Sequence, residues 1–427
     1  MIRIPKSFVA TCAISLCLVS QSALAQTNAA PTQTLTLSNV VQLLGDRNPR
    51  IRAEKEAIAS ARADRRTAGA FPNPRLGLQH QEPNGQQTLF TGQRQEQISL
   101  EVPILIPGQR SSRVAKADLD VAAAQAHYSA ESANIMADAC ASFVHLLSLQ
   151  QKTEILSNAL AEVTKLRDTI SGRVTGGASS SYDLERVEVE VGVLSSHYEA
   201  ARVDLAVEAS QLAGLLAVTN GVPTATGPLQ PWEIPQSYLA DPTSVMSPAA
   251  IAAARDAAAA EAGVKVARRN RWPDVSLSGG RAWTRHPFGS ADFVGINIEI
   301  PIFDTKRGQL EKAKSDARLA EDRRIAAIAQ ADATIQQLAQ TVQRRQAALD
   351  RYRKDIEPRL TRLKEMSSDA YLMGRHTVLE LLDAEQARRE VALENIETMS
   401  ALVEAQIRFL AITGTLPRFL NVEASAN

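Results

Sequence analysis

The residues with the clearest capacity for chemistry are carboxylates that follow two glycine-containing turns. Glu380 and Asp383 lie three positions apart in a segment with helical periodicity, so both side chains fall on one helix face. Asp183 is the corresponding acid after an earlier turn of the same kind. If several copies of the chain surrounded one axis, these carboxylates would form a ring that favours cations. The alternative is an ordinary solvated helix face.

Small and hydroxyl residues accompany these acids at the turns. Gly177 and Gly374 can supply the backbone freedom that a tight turn needs. Ser180 and Thr377 can cap the helices that follow. Capping alone would explain why these residue types stand here.

No catalytic constellation accompanies them. The sequence contains no GxSxG segment, no P-loop and no pair of histidines at metal-ligand spacing. The 47 basic and 47 acidic residues balance, which argues against a nucleic-acid-binding protein. We therefore expect no enzyme, no cofactor, no metal site and no nucleic-acid partner.

The first 25 residues have the features of an export signal. Arg3 and Lys6 precede a short apolar run, and Ala23-Leu24-Ala25 provides a cleavage site. Cys17 follows Leu16 rather than a small residue, so lipidation is not expected. After residue 25 no stretch approaches 18 consecutive apolar residues, and we expect no membrane-spanning helix.

The chain repeats one pattern twice. Five landmarks recur in the same order at offsets between 197 and 201 residues. They are Phe71–Leu76 with Trp272–Leu277, Val102–Ile104 with Ile300–Ile302, Gly108 with Gly308, Gly177 with Gly374, and Leu212–Gly214 with Ile412–Gly414. A duplicated unit of about 200 residues is the strongest signal in the sequence.

This duplication predicts the domain organisation. A signal peptide at 1–25 precedes a first repeat at 26–216, a connector at 217–247, a second repeat at 248–416 and a tail at 417–427. Each repeat contains a helix, a β-hairpin and a long helical hairpin. The predicted β-hairpins are 74–103 and 274–301, and the predicted helical hairpins are 109–216 and 304–414.

The predicted strands alternate apolar with polar residues. One face is apolar, while the other carries Ser99, Glu101, Asn297 and Glu299. This alternation is typical of a transmembrane β-barrel, and a soluble sheet with one buried face is the alternative. Aromatic residues flank the second hairpin, where an interfacial girdle would lie; they are Trp272, Trp283, Phe288 and Phe293.

The helices after each hairpin are unusually long. Residues 109–171 contain no proline, and residues 309–373 contain only Pro358 and no glycine. A helix of about 63 residues would be about 95 Å long, comparable to the depth of the bacterial periplasm. An antiparallel coiled-coil hairpin without a pore is the alternative. Four strands cannot close a membrane barrel, so several chains must share one, and three would supply about 12 strands.

With these features together, the chain resembles the TolC-type outer-membrane efflux channel family over nearly its whole length. The match rests on Arg47-Asn48-Pro49, Phe71–Pro74, Val102–Ile104 and Ile300–Asp304, and most specifically on Tyr371–Ala384. The resemblance implies a homotrimer with a 12-stranded outer-membrane β-barrel and a periplasmic α-helical barrel. The expected fold is mainly α with a small β part.

The resemblance also implies a function and site residues. The chain would be a passive exit duct that docks onto an inner-membrane proton-driven pump through a periplasmic adaptor protein. Segments 73–76 and 103–110 resemble the cobalt–zinc–cadmium efflux branch. Glu380, Asp383 and Asp183 would line the periplasmic aperture, and the turn residues would meet the adaptor. An exit duct for drugs, a periplasmic adaptor and a coiled-coil structural protein remain alternatives.

Overall fold

The computed structural model describes residues 32–82, 94–218, 221–240, 246–284, 289–373 and 377–420. The predicted signal peptide at 1–25, Phe288 and Gly374 lie outside the described residues. The fold is mainly helical with a small sheet part, which confirms that part of the predicted fold class.

The first half begins with a short strand and two helices. Strand β1 (Thr32–Leu35) precedes α1 (Leu37–Arg47) and α2 (Pro49–Gly69). Asn48 separates these two helices, because its side chain caps α2 while Pro49 occupies the first helical turn. The remaining elements of this half are β2 (Arg75–Gln81), β3 (Gln95–Ile104), α3 (Gln109–Thr175) and α4 (Ser181–Leu215).

The second half has a similar order after a connecting segment. Strand β4 (Val222–Ala225) pairs in parallel with β1, and α5 (Gln236–Ala240) follows it. The later elements are α6 (Pro248–Arg269), β5 (Asp274–Thr284), β6 (Ser290–Glu299), α7 (Arg307–Arg351), α8 (Glu357–Leu372) and α9 (Val378–Ile412).

Strands β2, β3, β5 and β6 form one antiparallel sheet in that order. The two hairpins are joined through β3 and β5, where Val102 lies opposite Leu277. Because directly opposite residues share a face, the register gathers the apolar side chains on one face. They are Leu76, Leu78, Ile98, Leu100, Val102, Ile104, Val275, Leu277, Val294, Ile296 and Ile298.

The other face of the sheet is polar and carries Ser99, Glu101, Asn297 and Glu299. Phe293 also lies on this polar face, opposite Gly280. Its predicted place in an aromatic girdle on the apolar face is therefore wrong, because Phe293 is adjacent to Val294 and successive strand residues point to opposite faces.

The long helix of the first half is continuous, whereas that of the second half is interrupted. Helix α3 has 67 residues and is about 100 Å long. Residues Tyr352–Ile356 form a π-helical segment between α7 and α8. The predicted uninterrupted helix over 309–373 is wrong at this point. Pro358 follows in the first turn of α8, where its missing N–H and its ring disturb the helical hydrogen-bond ladder.

Two apolar clusters hold the helices together. The larger one joins α1, the middle of α3, the second half of α7 and the ends of α4 and α9. Its buried members include Phe143, Leu212, Ile335 and Phe409. The smaller one joins α3 and α4 to the start of α9. Among the described helices, α3 contains a window with mean hydropathy 1.2, apolar enough to cross a bilayer by composition. Because 56% of that window is buried within the protein, its apolar side chains are those of a core helix.

Candidate functional site

The turn between α3 and α4 is closed by backbone hydrogen bonds. Gly177 has a φ of 72°, in the left-handed region that favours glycine. The Ala178 N–H donates to the Arg173 carbonyl at 2.7 Å, and the Gly177 N–H donates to the Val174 carbonyl at 3.0 Å. Gly177 is thus required by the backbone of this turn.

We call the end of the helices that is remote from the sheet, where α4 and α9 begin, the tip. Each of these two helices begins with a reciprocal cap. In α4 the Asp183 N–H donates to Ser180 Oγ at 3.2 Å, while the Ser180 N–H donates to Asp183 Oδ2 at 3.3 Å. In α9 the Glu380 N–H donates to Thr377 Oγ1 at 3.3 Å, while the Thr377 N–H donates to Glu380 Oε2 at 2.8 Å. Asp183 and Glu380 are therefore equivalent positions in the two halves, and each carboxylate stabilises a helix start.

Ser180 and Thr377 cap their helices, as their residue types predict, whereas the reciprocal hydrogen bonds of Asp183 and Glu380 were not predicted. The spacing Ser-x-x-Asp and Thr-x-x-Glu is the signal that could have revealed them. Asp383 differs from both, because it is exposed and has no hydrogen-bond or ion-pair partner in the part of the chain that the structure describes. Its equivalent in the first half is Arg186.

The structure brings two of the three predicted acids together. Glu380 and Asp383 are both exposed and lie one turn apart on α9. Val378 and Leu382, on the opposite side of that turn, are buried in the smaller apolar cluster. Asp183 begins a separate helix and is half-buried. Glu380 and Asp383 thus lie on the exposed face of α9, and its opposite face packs in the smaller apolar cluster.

Ion pairs connect the helices behind the tip. Arg389 of α9 donates to Glu190 of α4 at 3.0 Å, and their side chains are only 10% and 20% exposed. Arg388 reaches Glu162 of α3 at 3.1 Å and Glu385 on its own helix at 2.5 Å. These pairs tie α3, α4 and α9 together one to three turns behind the predicted aperture.

No group of three or more histidine, cysteine, aspartate or glutamate side chains could hold a metal ion among the described residues. His127 pairs with a single carboxylate, that of Asp256, at 2.9 Å. The arrangement offers a polar surface and carboxylates at one end, without a closed coordination site.

The polar face of the sheet presents the groups that would border water inside a barrel. Ser276 Oγ donates to the Glu101 carboxylate at 2.5 Å, and Arg75 lies opposite Glu101 in the register. Together with the tip, this face gives the chain a polar surface at each end of a helical body about 100 Å long.

Comparisons with known proteins agree with this architecture. The sequence pattern of the family described as "Outer membrane efflux protein" matches residues 245–415. The cobalt-zinc-cadmium resistance protein CzcC of Cupriavidus metallidurans is 22% identical over 384 residues, covering 89% of this chain and 87% of that protein. The nickel-cobalt-cadmium resistance protein NccC of Alcaligenes xylosoxydans xylosoxydans is 24% identical and covers 69% of this chain and 68% of that protein.

A solved structure has the same fold. The CmeC outer membrane channel of Campylobacter jejuni superimposes with a TM-score of 0.75 at 14% identity, covering 89% of this chain and 86% of that one. The matched residues 245–415 contain the second hairpin, the π-helical interruption and the capped α9. Residues 245–415 thus match the outer membrane efflux protein family, and the solved structure that shares the fold of this chain is an outer membrane channel.

Proposed function

We propose that three copies of this chain form the exit duct of a tripartite efflux system that exports divalent heavy-metal cations. One observation carries the proposal: a four-stranded sheet with an exposed apolar face and two open edges stands at the end of helices about 100 Å long. Such a sheet is compatible with lipid only if its edges are paired.

Closure explains the oligomer. Strands β2 and β6 are the edges of the sheet, and four strands are fewer than the eight of the smallest membrane barrels. Three copies joined edge to edge supply about 12 strands, with the apolar faces towards lipid and the polar faces towards a water-filled lumen. The long helices of the three copies then continue this barrel as an α-helical barrel through the periplasm.

The duct is passive in this proposal. The energy comes from an inner-membrane proton-driven pump, and a periplasmic adaptor protein joins the pump to the tip. The adaptor contacts the turns at Gly177, Ser180, Gly374 and Thr377. Because Gly177, Ser180 and Thr377 lie at the end of the helices that is remote from the sheet, this end is the one nearest to the inner membrane.

The tip controls passage. Three copies of Glu380, Asp383 and Asp183 line the periplasmic aperture and favour cations. Glu380 and Asp183 have a second task as capping residues, so Asp383 is the acid whose position is best explained by the aperture. The alternative is that these acids lie on a solvated helix start, and Thr377→Ala, which removes the cap but keeps both carboxylates of α9, separates the two explanations.

Two of the reported relatives are named for resistance to cobalt, zinc, cadmium and nickel. This is the support for divalent metal cations as the substrate class; drugs and other small molecules are the alternative within the same family. A duct does not need to bind its cargo tightly, so the proposal requires no metal centre in the chain.

Deletion of the gene, followed by growth on a panel of metals and drugs, tests the substrate class. We expect sensitivity to cobalt, zinc, cadmium or nickel to rise, and complementation with the intact chain to reverse it. Increased sensitivity to drugs alone would contradict metal export. Complementation with the double variant Glu380→Ala, Asp383→Ala shows in the same assay whether the tip acids are needed.

A further inference from the structure

A cleft of about 570 Å³ lies between the segment that connects the two repeats and the last third of α7. Trp232, Glu233 and Gln236 line it from the connecting segment, and Gln343 and Asp350 line it from the helix. We call this space the connector cleft. Its volume is in the range of sites that hold a small molecule or a few units of a polymer.

A buried amide fixes the aromatic residue of this cleft. The Trp232 N–H donates to Gln406 Oε1, and Gln406 Nε2 donates to the Trp232 carbonyl, both at 2.9 Å. Gln406 is only 1% exposed, so its amide is committed to the backbone of this one residue. The Trp232 side chain is half-buried and packs against the larger apolar cluster. The cleft therefore has a preorganised aromatic wall.

The helix wall is polar where the first repeat is apolar. Gln343, Gln346 and Asp350 lie three and four positions apart, so they share one face of α7. At an offset of 200 residues, which is within the range of the duplication, Phe143 and Leu146 correspond to the two glutamines. Both are buried in the larger apolar cluster. Packing of the repeat therefore does not require polar side chains at these positions.

The cleft has hydrogen-bonding groups that the fold itself does not use. The amides of Gln236 and Gln343 are exposed and form no hydrogen bond within the described residues. Glu233 and Arg353 also line the cleft, and neither forms an ion pair in that part of the chain. Because an amide both donates and accepts, such a wall suits a ligand whose own groups do the same.

A saccharide has the chemistry that these two walls can recognise. One face of a pyranose ring consists of C–H groups and can pack on an indole, while its hydroxyl groups can bind amides and carboxylates. An N-acetylated sugar adds an amide of its own. An extended peptide would instead pair with the free edge of a strand, and the residues that line the connector cleft belong to helices and a loop.

The position of the cleft along α7 indicates which saccharide it meets. Gln343 and Asp350 lie about 54–65 Å along the helix from Arg307, its first residue near the sheet. With the sheet in the outer membrane, the cleft therefore lies well inside the periplasm. The glycan strands of the bacterial cell wall occupy this compartment and consist of N-acetylated sugars.

We propose that the connector cleft binds a glycan strand of the cell wall, with a sugar ring on Trp232 and its hydroxyl and acetamido groups on Gln236 and Gln343. Such binding would hold a passive duct at a fixed level in the wall. The choice of cell-wall glycan rests on the proposed function, because it requires the sheet to lie in the outer membrane. The affinity for an N-acetylated saccharide does not.

Tryptophan fluorescence of the detergent-purified protein tests this binding. The chain has three tryptophans, so Trp272→Phe with Trp283→Phe leaves Trp232 as the single reporter. The probe is the tetramer of N-acetylglucosamine, and maltotetraose is the matched probe without acetamido groups. We expect the first to shift the Trp232 emission saturably at concentrations of about 1 mM, and maltotetraose to bind at least about fivefold more weakly, since it lacks the amide.

The glutamines are tested in the same assay. Gln236→Ala with Gln343→Ala removes two exposed amides and should lower the association constant about tenfold. Gln340→Ala is the matched control, because Gln340 is exposed on α7 but does not line the cleft, and it should change the constant less than about twofold. Equal binding by the double variant and the control would overturn the inference.

The source of the glycan is tested with purified cell-wall sacculi whose stem peptides have been removed. We expect these sacculi to sediment the intact chain, and an excess of the N-acetylglucosamine tetramer to release it. An unchanged Trp232 emission, or a chain that stays in the supernatant, would overturn the inference. The number of copies per particle and the metal sensitivity of a deletion strain are measured separately, so either result leaves the proposed duct to its own tests.

Discussion

Arg389 of α9 and Glu190 of α4 form the most enclosed ion pair in the described part of the chain, with 3.0 Å between Arg389 Nη2 and Glu190 Oε1. The pair joins α4 and α9, the two helices that return from the tip. It therefore connects the first repeat to the second repeat near the end of the helices that is remote from the sheet. The more exposed pair of Arg202 with Glu199 joins residues of a single helix, α4.

The first prediction concerns this pair. Arg389→Met or Glu190→Gln alone leaves a charged partner in a mostly buried place, and should lower the free energy of unfolding by about 3 kcal/mol. The double variant Arg389→Met, Glu190→Leu should recover most of this loss. Thermal unfolding in detergent, followed by circular dichroism, measures the effect. Glu199→Gln is the matched control and should change stability by less than about 0.5 kcal/mol. If a single variant lost no more unfolding free energy than this control, the ion pair would not stabilise the contact between α4 and α9.

The second prediction concerns Gly280 in the sheet. A Cβ at this position would lie 2.1 Å from the Ile98 carbonyl oxygen and 2.8 Å from the Phe293 ring, so Gly280→Ala should disrupt the pairing of β3, β5 and β6. At Gly279 the nearest atom is the Phe293 carbonyl oxygen at 3.6 Å, an ordinary contact. We expect Gly280→Ala to abolish the heat-modifiable gel band of an assembled barrel, while Gly279→Ala retains it. Equal behaviour of the two variants would contradict the close packing at Gly280.

The third prediction separates charge from capping at the tip. Removing both acids, with Glu380→Ala and Asp383→Ala, should enlarge single-channel conductance in planar bilayers and reduce cation preference, because the carboxylate ring is lost. Thr377→Ala removes the cap, at a cost of about 1 kcal/mol, but keeps both carboxylates. We expect this control to leave cation preference unchanged. An unaltered conductance in the double variant would reject the aperture.

The fourth prediction concerns Asn48, which is 4% exposed. Its Nδ2 donates to the Leu215 carbonyl at 2.8 Å, and its Oδ1 accepts from the Arg50 N–H at 2.9 Å. Asn48→Asp keeps the cap of α2 but leaves the Leu215 carbonyl without this donor, which should cost about 2 kcal/mol of unfolding free energy.

The control for Asn48 is Ser247, a buried cap of α6 that accepts from the Ala250 N–H at 3.1 Å. Ser247→Ala removes a local cap only and should cost about 1 kcal/mol. Denaturant titration of the detergent-solubilised protein measures the loss of unfolding free energy in both variants. If Asn48→Asp were neutral, the contact between α2 and the end of α4 would carry no stability.

Local features of the fold were accessible from the sequence. The switch from helical to alternating periodicity located the strands, and the absence of proline and glycine located α3. Gly177 and the hydroxyl residues marked the tip turns because they act through the adjacent backbone. The position of Phe293 could also have been derived, since alternation with Val294 already assigns it to the polar face.

Other features depend on contacts remote in sequence. The pairing of β3 with β5 joins residues more than 170 positions apart, and no turn signal encodes it. The same is true of Arg389 with Glu190, whose residue types resemble those of any solvated helix face. The π-helical segment at 352–356 arises from how one proline is accommodated in a long packed helix, which a count of prolines does not predict.

The central claim is that identical chains pool their four strands into one closed barrel, and native mass spectrometry of the detergent-purified mature protein tests it most directly. The account predicts a single species containing three copies, stable until the detergent is removed or the sample is boiled. A species containing one copy, soluble without detergent, would contradict it.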